Sequence, residues 1–131
     1  MDLKSIMQRY GQELGIPEGI PSNAEGAYEL PITNELTVVA RNVGFVIEFF
    51  CNLGQFPLEK ESILLQELLV ADLFGISTRG GVLGLAADGK TITLHQELPE
   101  DLSYQNFLES FDDFCNVAES WQDSAKGRLA A

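Results

Sequence analysis

The chain has 131 residues, eight basic against twenty acidic, for a formal net charge of −12, and 45% of its residues are hydrophobic. That is one domain of ordinary size with enough apolar surface for a packed core, which excludes wholesale disorder and a second domain. The negative field repels phosphate backbones and anionic membrane surfaces, so nucleic acid is a poor partner, while encounter with basic polypeptides is favoured.

Leu3, Ile6, Met7, Tyr10 and Leu14 recur at helical spacing as one narrow apolar stripe. Asp2 can cap this first helix, and Gly15 followed by Pro17 stops it. Residues 1–15 lack the basic start, apolar run and small-residue cleavage site of a signal peptide, and no apolar run is long enough to span a bilayer. The expected location is therefore the cytoplasm. Residues 16–26 are rich in Pro and Gly and form a loop, after which 28–32 begin a short strand.

Residues 36–41 and 43–51 are rich in β-branched and aromatic side chains and read as strands, with Asn42 or a nearby bulge turning the chain. In the second, Val43, Phe45, Ile47, Phe49 and Cys51 share one face, and the other face is also partly apolar, so it is covered on both sides or meets a partner. Over 59–74 the pattern becomes helical, with Glu59 and Glu61 at its start and Gly75 past its end. Its apolar residues spread around nearly the whole circumference, which marks a helix buried on two sides, one of them plausibly against a second copy.

Residues 82–86 and 91–96 flank Ala87-Asp88-Gly89-Lys90, a tight-hairpin signal. Finally Tyr104, Phe107, Leu108, Phe111, Phe114, Cys115, Ala118 and Trp121 fall in one sector of a helix that Ser103 can cap. The order is helix, two or three strands, helix, two strands, helix, an α+β sandwich with a mainly antiparallel sheet. Residues 1–124 form the single domain, and 125–131 read as a frayed tail.

Residues 84–91 match the phosphate-loop pattern GxxxxGK[ST] letter for letter. A phosphate loop must feed a helix, whereas Thr91-Ile92-Thr93-Leu94-His95 has strand character, so a hairpin is the favoured reading. His95 is the only histidine, and Cys51 and Cys115 sit in apolar patterns, so neither a histidine-pair metal site nor a disulfide framework is available. Asp112-Asp113 and Glu100-Asp101 read as solvated charge rather than an acid/base pair. The sequence thus predicts no catalytic residue, no metal and no cofactor. What it offers instead is surplus apolar surface, from Phe49, Phe50, Leu53 and Phe56 as well as the 59–74 helix, and such surplus marks interfaces.

The element order, the small acidic chain and the segment 64–74 followed by a hairpin resemble the class I chaperones of bacterial type III secretion, the Tir-chaperone family. The resemblance covers almost the whole chain. It implies a cytoplasmic, non-catalytic homodimer that binds the N-terminal region of a secreted effector in extended form, keeping it soluble and secretion-competent. The implied dimer interface is Ile63, Leu64, Leu65, Leu68, Leu69 and Leu73. The candidate partner-binding residues are Ile6, Met7, Tyr10, Val38, Phe45 and Ile47, each of which could equally be core. Recognition would combine strand addition at a sheet edge with apolar pockets. The alternative is an acidic regulatory or immunity-type protein that blocks a basic partner through charge.

Overall fold

The computed structural model describes residues 2–55, 81–85 and 91–130, as backbone alone at 55, 85 and 124–130. The helix expected over 59–74 and the turn at 87–90 lie outside the described residues. Helix α1 spans Leu3–Glu13, and the Asp2 carboxylate caps it by accepting the Ser5 amide at 2.8 Å. That hydrogen bond holds the Asp2 carboxyl below its ordinary value. Leu3, Ile6, Met7 and Gly11 form its buried stripe.

Among the described residues five strands follow: β1 Tyr28–Pro31, β2 Thr37–Val43, β3 Val46–Gln55, β4 Val82–Leu85 and β5 Thr91–Pro99. They form one sheet in the order β1-β2-β3-β5-β4, antiparallel throughout. The last element, α2, spans Tyr104–Ala130 and is capped by the Ser103 hydroxyl, which accepts the Asn106 amide at 3.1 Å. Its helical backbone continues past Ser124, where the sequence suggests fraying, through the good helix formers Ala125, Lys126 and Arg128.

Strand alternation sorts the sheet into two faces. Leu30, Val38, Ala40, Ile47, Phe49, Cys51, Leu83, Ile92, Leu94 and Leu98 are all buried on the inner one. Both helices lie over it, and one core cluster joins α1, the sheet and α2. At its centre Phe49 meets Phe107, Phe111 and Phe114 at ring-centroid distances of 5.5, 5.7 and 5.4 Å. The outer face carries Val39, Arg41, Glu48, Phe50 and His95, with Arg41 and Glu48 paired at 2.8 Å and Phe50 beside His95.

Two local features differ from the sequence reading. Asn42 is inside β2, and the turn falls at Gly44-Phe45, because Gly44 supplies the positive φ, +61°, that a two-residue hairpin needs. Phe45 is thereby lifted out of the alternation and stands on the turn. In β3 a bulge between Asn52 and Gly54 inserts Leu53, whose carbonyl accepts from Gln122 Nε2 at 3.5 Å.

The strand expected to open at Thr91 does so, and it pairs antiparallel with β4. The phosphate-loop look-alike therefore feeds a strand, not a helix. Among the described residues, no helix is long and apolar enough to cross a membrane.

Candidate binding groove

Beyond α1 the chain doubles back across the helix it has just left. Ile16 N–H donates to Gly11 O at 2.9 Å and Ile20 N–H donates to Met7 O at 3.3 Å, so the loop is strapped to α1 by its backbone. Such close approach requires the absence of a side chain on both surfaces. A Cβ at Gly11 would lie 2.5 Å from Ile20 N, and one at Gly19 would lie 2.6 Å from Gln8 Cα. The loop side chains are thereby turned sideways, toward β1.

There they complete an apolar groove of about 360 Å³. One wall is Tyr10 with Leu14, Ile16, Ile20 and Pro21; the floor is Leu30 and Ile32, with Glu29 and Pro31 bordering it along β1; Phe111 of α2 closes the far side. Tyr10 and Phe111 meet edge to face at 5.8 Å. Leu14 remains 60% exposed and Ile16 39%, so apolar surface is left open at the mouth.

The last turn of α1 is fixed to the start of α2 by a second cluster. The Tyr104 hydroxyl donates to Glu13 Oε2 at 2.5 Å, and the Arg9 guanidinium lies 4.2 Å above the Tyr104 ring. Burial, helped by the Glu13 hydrogen bond, pushes the Tyr104 phenol up to about 12. The groove is therefore mounted on a tied pair of helices.

Along its length runs β1, which is the outermost strand of the sheet among the described residues. An apolar groove beside an unpaired strand edge can take an extended polypeptide, whose backbone adds to the edge while alternate side chains enter the groove.

Of the six sequence-derived partner residues, the structure brings only Tyr10 to this groove. Ile6, Met7, Val38 and Ile47 are 0% exposed, because the α1 stripe and the inner sheet face meet each other directly. These four are core and present no surface in this fold. Phe45 is 90% exposed on the β2–β3 turn, beside a separate open pocket lined by Asp2, Pro99, Glu100 and Asp101. The six dimer-interface residues from Ile63 to Leu73 lie outside the described residues. Leu14, Ile16, Ile20 and Phe111 also line the groove and are not among the six. For Ile16 and Ile20 the available signal is apolar side chains placed inside a Pro- and Gly-rich loop, where no core requires them; Leu14 and Phe111 belong to helical stripes that give no such signal.

Chemically the described surroundings are quiet. Burial pushes the Cys51 thiol up to about 11 and, with Asp112 nearby, the Cys115 thiol up to about 12, so neither is poised as a thiolate near neutral pH.

The family model of the Tir chaperone protein (CesT) family matches residues 5–122. The chain belongs to this family. The match covers most of α1, the whole described sheet and most of α2, which are the elements that build the groove. Solved structures share the fold. A chain of the HopA1–SchA chaperone–effector complex superimposes with a TM-score of 0.73 at 17% identity, covering 92% of both chains.

A chain from the complex of the Yersinia pestis type III secretion chaperone SycH with a stable fragment of YscM2 gives 0.68 at 19% identity, covering 88% of this chain and 96% of that one. At such identities the likeness is one of fold. In sequence, the Chlamydia pneumoniae protein CPj0713/CpB0740 is 28% identical over 121 residues, 91% of this chain and 92% of that protein.

Proposed function

We propose that this Tir-chaperone family member binds the N-terminal region of a type III secreted effector in extended form and keeps it soluble and ready for export. The observation that carries the reading is the apolar groove alongside β1, whose outer edge is unpaired among the described residues, in a chain whose family is one of chaperones. The function is binding rather than catalysis, with no cofactor. Solved relatives of the same fold include a chaperone–effector complex, which supports a secreted effector as partner. The working location is the bacterial cytoplasm, where the effector waits for the secretion apparatus.

The groove test uses Leu14, which is largely exposed and contributes little to the core. Leu14→Asp places a charge at the mouth, where an apolar client side chain would have to desolvate it. Titration of the cognate effector's N-terminal segment, identified from neighbouring genes, is expected to weaken at least tenfold while thermal stability changes little. Unchanged affinity removes the groove from the binding site.

The protein works as a homodimer in this reading, with Ile63, Leu64, Leu65, Leu68, Leu69 and Leu73 at the interface. What supports it is the all-round apolarity of that segment in the sequence. Light scattering should give twice the 14.4 kDa chain mass for the wild type, and a monomer or aggregate for Leu68→Asp. A monomeric wild type would overturn the dimer.

A further inference from the structure

β1 offers an incoming strand a short and fixed set of partners. Ile32 N–H donates to Leu36 O at 3.0 Å, so residues 32 and 36 are a hydrogen-bonded pair. The register carries the same parity through Leu30↔Val38 and Tyr28↔Ala40. The amides and carbonyls of Tyr28 and Leu30 therefore point to β2, and those of Glu29 and Pro31 point to the free edge.

The next residue of that outward parity, Ala27, is already used. Its carbonyl accepts from Asn23 N–H at 2.7 Å and its amide donates to Asn23 Oδ1 at 3.0 Å. Pro31 has no amide hydrogen. Among the described residues, what remains is the carbonyl of Glu29, the carbonyl of Pro31 and one amide, that of Glu29. This inventory is the same for a parallel or an antiparallel neighbour. A strand added here can make three backbone hydrogen bonds, in one register centred on Glu29.

Side chains then follow from alternation. Glu29 and Leu30 both border the groove at the strand edge, but the Leu30 side chain is buried toward the core, so by alternation the Glu29 side chain points to the opposite side of the sheet, and the side chain of a client residue beside it points that way too. Its immediate sequence neighbours face the groove. Glu29 is exposed, and among the described residues its carboxylate accepts one long hydrogen bond, 3.5 Å, from Asn23 Nδ2.

On the reading that an extended client lies along this edge, we infer that Glu29 and Pro31 set its sequence preference: Lys or Arg beside Glu29, directly adjacent to an apolar residue that enters the groove, with the ladder ending at Pro31. Three hydrogen bonds are few for a stable strand, so groove and charge must supply the rest of the selectivity. The same two residues discourage a second copy from pairing at this edge, since like carboxylates would lie side by side and the proline shortens the ladder.

The test is selection of random twelve-residue displayed segments on the immobilised full chain, wild type and Glu29→Lys in parallel, with Leu14→Asp as a third arm. Segments selected by the wild type should carry Lys or Arg next to an apolar residue, and Glu29→Lys should move the preference at that place to Asp or Glu. A synthesised wild-type winner should bind Glu29→Lys about two- to five-fold more weakly and regain affinity when its own Lys is changed to Glu.

The same preference on both proteins overturns the inference and leaves the groove reading standing. Winners that bind Leu14→Asp as tightly as the wild type, or no enrichment of apolar segments at all, overturn the groove reading and the inference with it.

Discussion

Phe49→Ala is expected to lower the unfolding free energy by about 3–5 kcal/mol, the cost of truncating a fully enclosed aromatic residue. Phe49 is 0% exposed and sits where the sheet meets α2, with three phenyl rings within 6 Å of its own centroid. Its removal forfeits the transfer free energy of the ring and leaves a cavity. The walls of that cavity belong to a strand paired on both sides and a long helix, so neither can collapse inward freely.

The edge-to-face pairs add about 0.5–1.5 kcal/mol each where they are independent. Here they share one ring, so the sum overstates the loss. For a chain of this size the melting temperature should fall by roughly 10–20 °C, read by circular dichroism at fixed concentration. Phe49→Leu, which keeps most of the volume, should cost about 1–2 kcal/mol. If the alanine variant loses less than about 1.5 kcal/mol, the four-ring cluster is not the centre of the core.

Phe49 also shows what could be read from the sequence and why. The alternation Ile47, Phe49, Cys51 states which residues share a face, and the wheel containing Phe107, Phe111 and Phe114 states which face of α2 is apolar. Those two patterns have little to satisfy them but each other. Phe45 defeats the same logic, because Gly44 breaks the strand and starts a turn, and alternation carries no meaning across a turn. Period alone does not reveal such a break; the glycine between Val43 and Phe45 is the clue.

The groove was harder to read for a different reason. Ile6 and Met7 differ little from Leu14 and Ile16 in hydrophobicity, and nothing local separates core from groove. The separation arises in three dimensions. α1 presses Ile6 and Met7 onto the sheet, while the returning loop carries Leu14 and Ile16 past the edge of β1, where the sheet has ended. The element order and the acidic composition were enough to suggest the family, since those are properties of the whole chain. The groove residues depend on where one loop crosses one helix.

That crossing leads to the second large effect. Gly19→Ala is expected to destabilise the protein by about 2–4 kcal/mol and to weaken client binding together with it. Gly19 has φ +81°, a conformation that costs an L-residue about 1–2 kcal/mol, and its new Cβ would sit 2.6 Å from Gln8 Cα, which is helix backbone and cannot swing aside. The loop has to lift, and lifting it strains the Ile20 N–H to Met7 O bond and withdraws Ile20 from the groove wall.

Gly11→Ala separates the two contributions. Within α1, alanine is the better helix former by about 1 kcal/mol, so propensity alone predicts stabilisation. The contact at 2.5 Å with Ile20 N predicts the reverse, and it should win, because the atom met is backbone and no rotamer relieves it. The outcome to look for is a Gly11→Ala protein with undiminished α1 helicity, lower overall stability and client affinity reduced at least fivefold. A stabilised variant with full affinity would mean that the loop does not ride on the helix, and the groove would then lose the wall that Leu14, Ile16 and Ile20 provide.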